Sequence, residues 1–578
     1  MQDRIRPFFT LTGAKKLALR HVSVIACVAL SFPAHDAIGQ RLASPAERFP
    51  ADLDRYVEKV LEDWKIPGLA IAVVRNDSTL VAKGYGVRKL GEPARVDENT
   101  VFDIASLAKS FTATAIAILV DRGTLEWDDP VRKHLPNLVL PNEDLTARAT
   151  VRDFLSHRTG LDAANMMWVL TSVDRAEVLR RMRHLRTPAP FREAMVYSNI
   201  GYTVAGEAAA AAARTSFEAL LRDLLIKPLK LPSTTWTYEQ AAGMPNIAAS
   251  HATIAGRQQP VRRELQRQPI AAAAAVQSSV KDLTRWMRLH INNGVLDGVR
   301  YVSDSAMRAM HSIQIVIPTT PAMRAARLVE DTVAGYGMGM QVMDYRGRPL
   351  LWHTGNGDGQ IAYMALLPRE RLGVVVLVNT WSAPFVHAAL VNRILDTYLG
   401  VEPHDWAGEA LARIPATIRA RDSATRVMDE MKSAQPPRFA PRAYAGRYDN
   451  LLFGPVWVRA DSSRLTFQMG EGQIADLEFH GGDTFFLRWR DALFGEYYGA
   501  HVNFAASGDS ITGFSVRINR DEFTATKSSH AAAVRRRSRF GALDHGASRF
   551  SIGASIPRAR TRCLAAVSCV DQARSKSR

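Results

Sequence analysis

The stretch FDIASLAKSFTATAIAILV, residues 102–120, decides how this sequence is interpreted. Its nearly unbroken apolar run after Ser106 predicts a long buried helix. Ser106 and Lys109 could form a reactive pair there, because residues three apart lie on one face of a helix. The spacing alone proves nothing, since Ser278 and Lys281 repeat it. A chain of this length should contain about two such pairs by chance.

Chemistry gives the first pair a plausible role. A serine hydroxyl is a weak nucleophile until a base accepts its proton, and Lys109 is close enough in a helix to serve. A helix N-terminus also offers N–H groups that stabilise negative charge on a bound acyl oxygen. Ser278 lies near a predicted helix start as well, so this position does not separate the two pairs.

Two further segments could complete the site around Ser106. Tyr197 and Asn199 are two apart in an extended segment, which puts both side chains on one side. A tyrosine can relay protons if a nearby cation lowers its pKa. His353-Thr354-Gly355 precedes a predicted strand, where a glycine lets a substrate backbone approach closely.

A second set of similar residues, with Ser278, Tyr448, Asn450 and His480, follows the same order along the chain. It would require Ser278 to meet residues beyond the stiff, proline-rich segment 435–441. The first set lies wholly within one predicted domain. Geometry therefore favours the first set.

The periodicity of the chain predicts an α/β domain followed by a small β-domain. A helix over 51–64, a hairpin over 69–85, a largely helical middle over 150–229 and antiparallel strands over 359–379 imply one antiparallel sheet with an inserted helical lobe. Beyond the linker, the hydrophobic period becomes two. The strand candidates there predict a barrel, and they span 456–459, 464–469, 483–489 and 511–518.

The net charge of +17 does not indicate nucleic-acid binding, because it is concentrated at the ends. Residues 1–21 carry five basic residues and one acidic residue, and residues 528–578 carry eleven basic and two acidic residues. About +4 remains for the body of the chain. The basic tail from 528 has no hydrophobic period, so we expect it to be disordered. An anchor for anionic membranes is the alternative.

The N-terminus predicts export. A basic segment precedes eleven apolar residues at 22–32, and small residues lead to a possible cleavage point before Gln40. A buried helix and lipidation at Cys27 are the alternatives. We expect a periplasmic or secreted protein, with no stable membrane insertion once the signal is removed. Cys563 and Cys569 lie in the tail, so the body has no cysteine, and clustered zinc-ligand spacings are absent. No metal or cofactor is predicted.

Ser106-Leu-Ala-Lys109, Tyr197-Ser-Asn199 and His353-Thr-Gly355 resemble the three motifs of the serine β-lactamase and penicillin-binding-protein superfamily. The closest branch is the class C-like serine hydrolases, which include D,D-peptidases, D-aminopeptidases and esterases. Flanking segments resemble that branch too, at 66–74, 150–161, 336–340 and 372–379. The segment 443–526 is similar to the lipocalin-like domain often fused to these hydrolases.

The resemblance implies a role for each residue. Ser106 would be acylated with Lys109 as its base, and Tyr197 would transfer protons. Asn199 would hold Lys109 and the substrate amide. The remaining implied roles fall on the third motif: His353 and Thr354 would line the cleft, Gly355 would admit the substrate backbone, and the N–H of Asn356 would join that of Ser106 in an oxyanion hole.

Departures from the superfamily pattern narrow the range of substrates that we expect. The third motif begins with His353 where β-lactamases usually have a lysine, and a histidine is mostly neutral at pH 7. Ala271–Ala275 stands where relatives often have a glycine-rich turn, and the basic segment 257–267 has no counterpart. We therefore expect a serine hydrolase that acts through an acyl-enzyme on a peptide, amide or ester. A β-lactamase and a non-turnover penicillin- or peptidoglycan-binding sensor are the alternatives.

The expected domain organisation follows from these observations. Its segments are a signal peptide (1–39), a β-lactamase-like catalytic domain (45–402), a helical and proline-rich linker (403–441), a lipocalin-like β-domain (442–527) and a basic tail (528–578). The expected partner is a small-molecule or peptide substrate.

Overall fold

The computed structural model describes residues 45–261, 268–318, 334–414, 435–461, 464–470 and 473–528. They form an antiparallel sheet with helices on both faces and a closed C-terminal β-barrel, which confirms the predicted fold class. The predicted signal segment 1–39, the tail from 529 and part of the basic segment, 262–267, lie outside the described residues.

The central sheet is assembled from both ends of the catalytic segment. Its strands are β1 (Gly68–Arg75), β2 (Ser78–Gly86), β9 (Ile315–Val316), β10 (Ala334–Tyr336), β11 (Gln341–Tyr345), β12 (Arg348–Gly357), β13 (Gln360–Leu367) and β14 (Leu372–Val378). Their order in space is β2-β1-β14-β13-β12-β11-β10-β9. Short two-stranded pairs flank it: β3 (Phe102–Asp103) with β6 (Gln277–Ser278), β4 (Ser250–Ile254) with β5 (Arg257–Val261), and β7 (Val295–Leu296) with β8 (Val299–Arg300).

Helices cover both faces of this sheet, which explains why β13 and β14 are buried throughout rather than alternating between buried and exposed positions. One face packs against α1 (Pro45–Trp64), which begins six residues before the predicted start, and against a helix near the end of the domain, Val386–Tyr398. The other face packs against the helical lobe inserted between β2 and β9.

The lobe carries the helices that position the candidate site. They are α2 (Ala108–Asp121), α3 (Val131–His134), α4 (Glu143–Arg148), α5 (Val151–Leu155), α6 (Met166–Val169), α7 (Arg175–Arg181), α8 (Asn199–Ala212), α9 (Phe217–Leu221), α10 (Tyr238–Ala242), α11 (Ala271–Ala274), α12 (Val280–Ile291) and α13 (Asp304–His311). The helix Val386–Tyr398 is α14. Helix α2 is buried on all sides, as its sequence predicts. Within the described ranges, no helix combines the length and apolarity needed to cross a bilayer.

The C-terminal barrel closes by pairing its first and last strands. Its strands are β15 (Gly446–Asn450), β16 (Gly454–Ala460), β17 (Leu465–Met469), β18 (Gln473–Gly481), β19 (Thr484–Trp489), β20 (His501–Ser507), β21 (Ser510–Ile518) and β22 (Asp521–Lys527), with helices α15 (Pro441–Tyr444) and α16 (Ala492–Tyr497). The ring of Phe514 lies 5.1 Å from that of Tyr448 and 5.7 Å from that of Phe467. Such aromatic contacts fill the interior and make it a packed core.

Buried polar contacts join the barrel to the helical lobe. Asp521, at the start of β22, accepts a hydrogen bond from the backbone N–H of Met166 at 2.6 Å. The guanidinium of Arg181 donates to the carbonyl of Leu452 at 3.0 Å. Because Asp521 is almost fully buried, its pKa is raised to about 6 in spite of the N–H donors around it.

The raised pKa of Asp521 predicts a pH-dependent stability. The unfolded carboxyl has a pKa near 3.8, so the folded state favours the protonated form. Its contribution is most favourable below that value and is lost as pH rises through about 6. We expect Asp521→Asn, which keeps an acceptor without a charge, to raise the unfolding free energy by up to ~3 kcal/mol at pH 7.5 and little at pH 4.

Urea unfolding of the full chain at both pH values measures this effect. Asp509→Asn is the matched control, since Asp509 is exposed in the turn between β20 and β21. An equal gain at both pH values, or the same gain in the control, would contradict the proposed role of burial.

Candidate active site

Ser106 is presented by a tight turn, not by the first turn of an α-helix. Residues Ala105–Leu107 form a 3₁₀ turn that runs directly into α2. Ala105 has a φ of +42°, a strained conformation for a residue with a side chain. Its N–H donates to Asp103 Oδ1 at 2.9 Å, which helps to hold the turn. The α-helix therefore begins at Ala108, two residues after the start at Ser106 that the sequence predicts.

The hydroxyl of Ser106 is contacted by both of its predicted partners. Lys109 Nζ lies 3.0 Å from Ser106 Oγ, and the hydroxyl of Tyr197 lies 2.9 Å from the same atom. Tyr197 is brought there by the segment that leads into α8, in which Ser198 caps the helix by accepting from the N–H of Gly201. The structure thus joins residues that lie 91 positions apart.

Lys109 is completely buried, and further hydrogen bonds fix its amine. Its Nζ donates to Asn199 Oδ1 at 2.8 Å and to the carbonyl of Ala273 at 3.1 Å. The sequence marked residues 271–275 only as a departure from relatives. It could not reveal Ala273, because a backbone carbonyl acts through its position and not through its residue type.

The pKa of Tyr197 differs from expectation. Sequence analysis made proton relay by Tyr197 conditional on a nearby cation that lowers its pKa, and Lys109 Nζ does lie 4.7 Å from the centre of the Tyr197 ring. Burial nevertheless raises the pKa of Tyr197 well above its usual value, because the phenolate loses its hydration, while the hydrogen bond to Ser106 lowers it less. Tyr197 is therefore a neutral phenol across the physiological range.

His157 lies in the site, although the sequence did not single it out as a candidate. Its Nδ1 accepts from the backbone N–H of Ser198 at 3.2 Å, and its ring lies 4.3 Å from that of Tyr197. Burial and then the charge of Lys109 lower its pKa well below the usual value, so the ring is neutral. The only signal was its position in the flanking segment 150–161, which carried the family resemblance.

His353 lies behind Tyr197 as a neutral, buried ring. Its Nε2 is 3.0 Å from the hydroxyl of Tyr336, and its ring centre is 6.3 Å from that of Tyr197. Burial, followed by the charge of Lys109, lowers the pKa of His353 to about 3. It therefore cannot supply the permanent positive charge that a lysine would supply in this position.

Gly355 lies directly against the turn that carries Ser106. A β-carbon at Gly355 would be 2.0 Å from the carbonyl oxygen of Ile104 and 3.3 Å from the backbone nitrogen of Ser106. Only glycine fits there, so β12 runs past the backbone of the nucleophile. The oxyanion role of Ser106 and Asn356 stays a prediction.

Thr354 and Asn356 occupy alternate positions of β12, so their side chains point away from Ser106 to the opposite face of the sheet. They line a separate cavity there. The cleft-lining role expected for the Thr354 side chain stays a prediction as well.

The second serine–lysine pair is structural. Ser278 is fully buried, and its Oγ lies 2.8 Å from Thr234 Oγ1. Lys281 is exposed, with its Nζ 3.8 Å from a carboxylate oxygen of Glu98. Tyr448 belongs to the core of the barrel. Among the described residues, no group of three or more histidine, cysteine, aspartate or glutamate side chains is placed to hold a metal ion.

Comparison with known proteins finds a matching family and several similar proteins. The family described as Beta-lactamase matches residues 53–398. The chain is 30% identical over 437 residues to the unguisins hydrolase ungD of Aspergillus violaceofuscus, covering 71% of this chain and 77% of that protein. It is 26% identical over 340 residues to penicillin-binding protein 4 of Amycolatopsis lactamdurans, covering 58% of this chain and 87% of that protein.

A likeness of fold to a solved structure covers most of the chain. The solved structure of the octameric penicillin-binding protein homologue from Pyrococcus abyssi superposes with a TM-score of 0.55 at 21% sequence identity. The match covers 82% of this chain and 99% of that one.

Proposed function

Because this chain belongs to the beta-lactamase family, we propose that it is a serine hydrolase that acts through an acyl-enzyme on a peptide, amide or ester. One observation carries the proposal: a buried amine and a phenol both contact the hydroxyl of Ser106 within hydrogen-bond distance. A protein that only binds ligands has no need of a base beside that hydroxyl.

The contacts of Lys109 suit a base. In its neutral form the amine has two N–H bonds and one lone pair. The two N–H bonds can donate to Asn199 Oδ1 and to the carbonyl of Ala273, both of which are acceptors. The lone pair then faces the hydroxyl of Ser106 and can accept its proton.

The proposed reaction has two halves. The Ser106 oxygen attacks the substrate carbonyl while its proton passes to Lys109, and Tyr197 relays a proton to the departing amine or alcohol. Water then attacks the acyl-enzyme and loses a proton to the same pair, and a proton returns from the pair to the Ser106 oxygen as its bond to the acyl group breaks and the acid is released. The backbone of Ser106, next to Gly355, supplies the N–H expected to stabilise the oxyanion.

Trapping the acyl-enzyme tests the proposal. We expect an activated ester or a fluorophosphonate to add its acyl or phosphonyl mass to the full chain, at Ser106 by peptide mapping. Ser106→Ala should lose the adduct and all substrate turnover. Ser278→Ala, which removes the serine of the second pair, should keep both. An adduct that still forms in Ser106→Ala would contradict the assignment of Ser106 as the nucleophile.

The choice of substrate separates the finer possibilities. The relatives include both a hydrolase and a penicillin-binding protein by name. A panel of chromogenic esters, D-amino-acid amides and a labelled penicillin therefore distinguishes turnover from stable labelling. The neutral His353 favours turnover of substrates other than β-lactams, because it offers no charge to hold the carboxylate of the antibiotic.

Export remains part of the proposal, on the basis of the signal-like pattern of residues 1–39. Expression with this segment and N-terminal sequencing of the exported product test it.

A further inference from the structure

A cavity of about 660 Å³ lies on the face of the sheet opposite Ser106. It is an open pocket between strands β11 to β13 and the start of α14, and its wall is mainly apolar with several aromatic side chains. The side chains used in the argument are Trp352, Tyr363, Phe385, Ala388 and Asn392. A volume of this size and an apolar wall with few polar groups are typical of small-ligand sites.

The strand that passes Ser106 also lines this cavity. Side chains alternate along β12, so Gly355 faces Ser106 while its neighbours Thr354 and Asn356 face the cavity. Strand β11 pairs with β12 only as far as Trp352. Residues 353–357 therefore have no partner in β11.

A substrate laid along the 353–357 stretch would also alternate. If one substrate residue places its side chain on the Ser106 face, the next residue along its backbone places its side chain on the cavity face. Only strand β12 thus separates the cavity from the reacting bond, although the two lie on opposite faces of the sheet.

Two buried polar atoms point to an occupant with a polar group. Asn392 and His387 belong to the cavity wall, and neither Asn392 Nδ2 nor His387 Nδ1 has a hydrogen-bond partner within the described part of the chain. A buried donor without an acceptor is unfavourable, so a ligand that supplies an oxygen to Asn392 would satisfy it.

The barrel completes the cavity wall. Tyr498 and Asn519 come from the C-terminal domain and lie at its rim. Asn519 is in the turn between β21 and β22, two residues before Asp521, whose carboxylate is anchored on the backbone of Met166. The contact between the domains therefore also fixes the position of Asn519.

We propose that this cavity is the specificity pocket of the enzyme, and that it takes a large aromatic side chain bearing an oxygen, such as a phenol, from the substrate residue next to the scissile bond. The inference rests on the proposed function. It assigns the substrate class of that site and gives the barrel a part in forming the pocket.

Filling the pocket tests the inference. The substrates are p-nitroanilides of tyrosine, phenylalanine and alanine, as both D and L forms, turned over by the full chain. We expect the wild type to prefer tyrosine to alanine. Ala388→Phe should lower the ratio of the two kcat/KM values about tenfold or more, as expected when a pocket no longer admits a side chain. Val299→Phe, at an exposed position on β8, is the matched control and should leave the ratio unchanged.

Two milder variants keep the test decisive if Ala388→Phe does not fold. Asn392→Leu should abolish the preference for tyrosine over phenylalanine, and Tyr498→Ala should reduce the preference for both over alanine. Unaltered ratios in these variants, or an equal fall for every substrate, would overturn the pocket assignment. Failure of the proposed function gives a different result: no turnover of any anilide or ester that depends on Ser106.

Discussion

Lys109→Met is expected to lower kcat at least about 10⁴-fold on every substrate that the enzyme turns over, because Ser106 then has no base to accept its proton. Methionine nearly matches lysine in length and shape. Folding should survive, since methionine fills most of the same buried volume. Steady-state kinetics measures the effect, and circular dichroism with a thermal melt verifies the fold.

The second serine–lysine pair supplies the control for this experiment. Lys281→Met removes an exposed lysine with the same spacing from a serine, and kcat should stay within about twofold, as for most surface substitutions. If Lys109→Met kept a tenth or more of the wild-type rate while still folded, Lys109 would not be the base. Equal losses in both variants would indicate a general effect of charge.

Tyr197→Phe is expected to lower kcat by about 10²–10⁴-fold, the usual contribution of a positioned acid or base. The phenylalanine ring keeps the contacts with Lys109 and His157, so only the hydroxyl is lost. Because burial holds the phenol neutral, its proton is available to a departing amine at neutral pH. Rates for a series of leaving groups measure this role.

The leaving group decides whether Tyr197 acts as an acid. An anilide leaves as an amine that needs a proton, whereas p-nitrophenolate leaves without one. The loss in Tyr197→Phe should therefore be at least about tenfold greater for the anilide than for the p-nitrophenyl ester of the same acid. Tyr202→Phe is the control, because the Tyr202 hydroxyl donates to the carbonyl of Leu155 and not to Ser106. An identical loss for both leaving groups would instead assign Tyr197 a purely positioning role.

Periodicity was sufficient to predict the architecture. The apolar run after Ser106 predicted a buried helix, and the change to a period of two beyond residue 441 predicted the barrel, because burial on one or both faces leaves a direct trace in residue type. The start of α1 at Pro45 was missed, since its first turns contain polar residues and prolines.

The site was less fully predictable, for physical reasons that differ from residue to residue. The resemblance of their motifs to a known superfamily identified Ser106, Lys109 and Tyr197 as candidate site residues. The structure places the three side chains together. The carbonyl of Ala273 carries no signal in its residue type. The direction of the Tyr197 pKa shift depends on how completely the ring is buried, which a nearby lysine in the sequence does not reveal.

The anchoring of the barrel on the helical lobe has a consequence for how the chain can be divided into fragments. One continuous apolar core includes Trp168 and Leu170 from the lobe together with Phe453 and Phe523 from the barrel. Removing the barrel would expose these apolar surfaces to water. It would also leave the backbone N–H of Met166 without its acceptor, the carboxylate of Asp521. In this chain the barrel is thus part of one folding unit with the catalytic domain. A catalytic domain expressed without the barrel is expected to be less stable and more prone to aggregate.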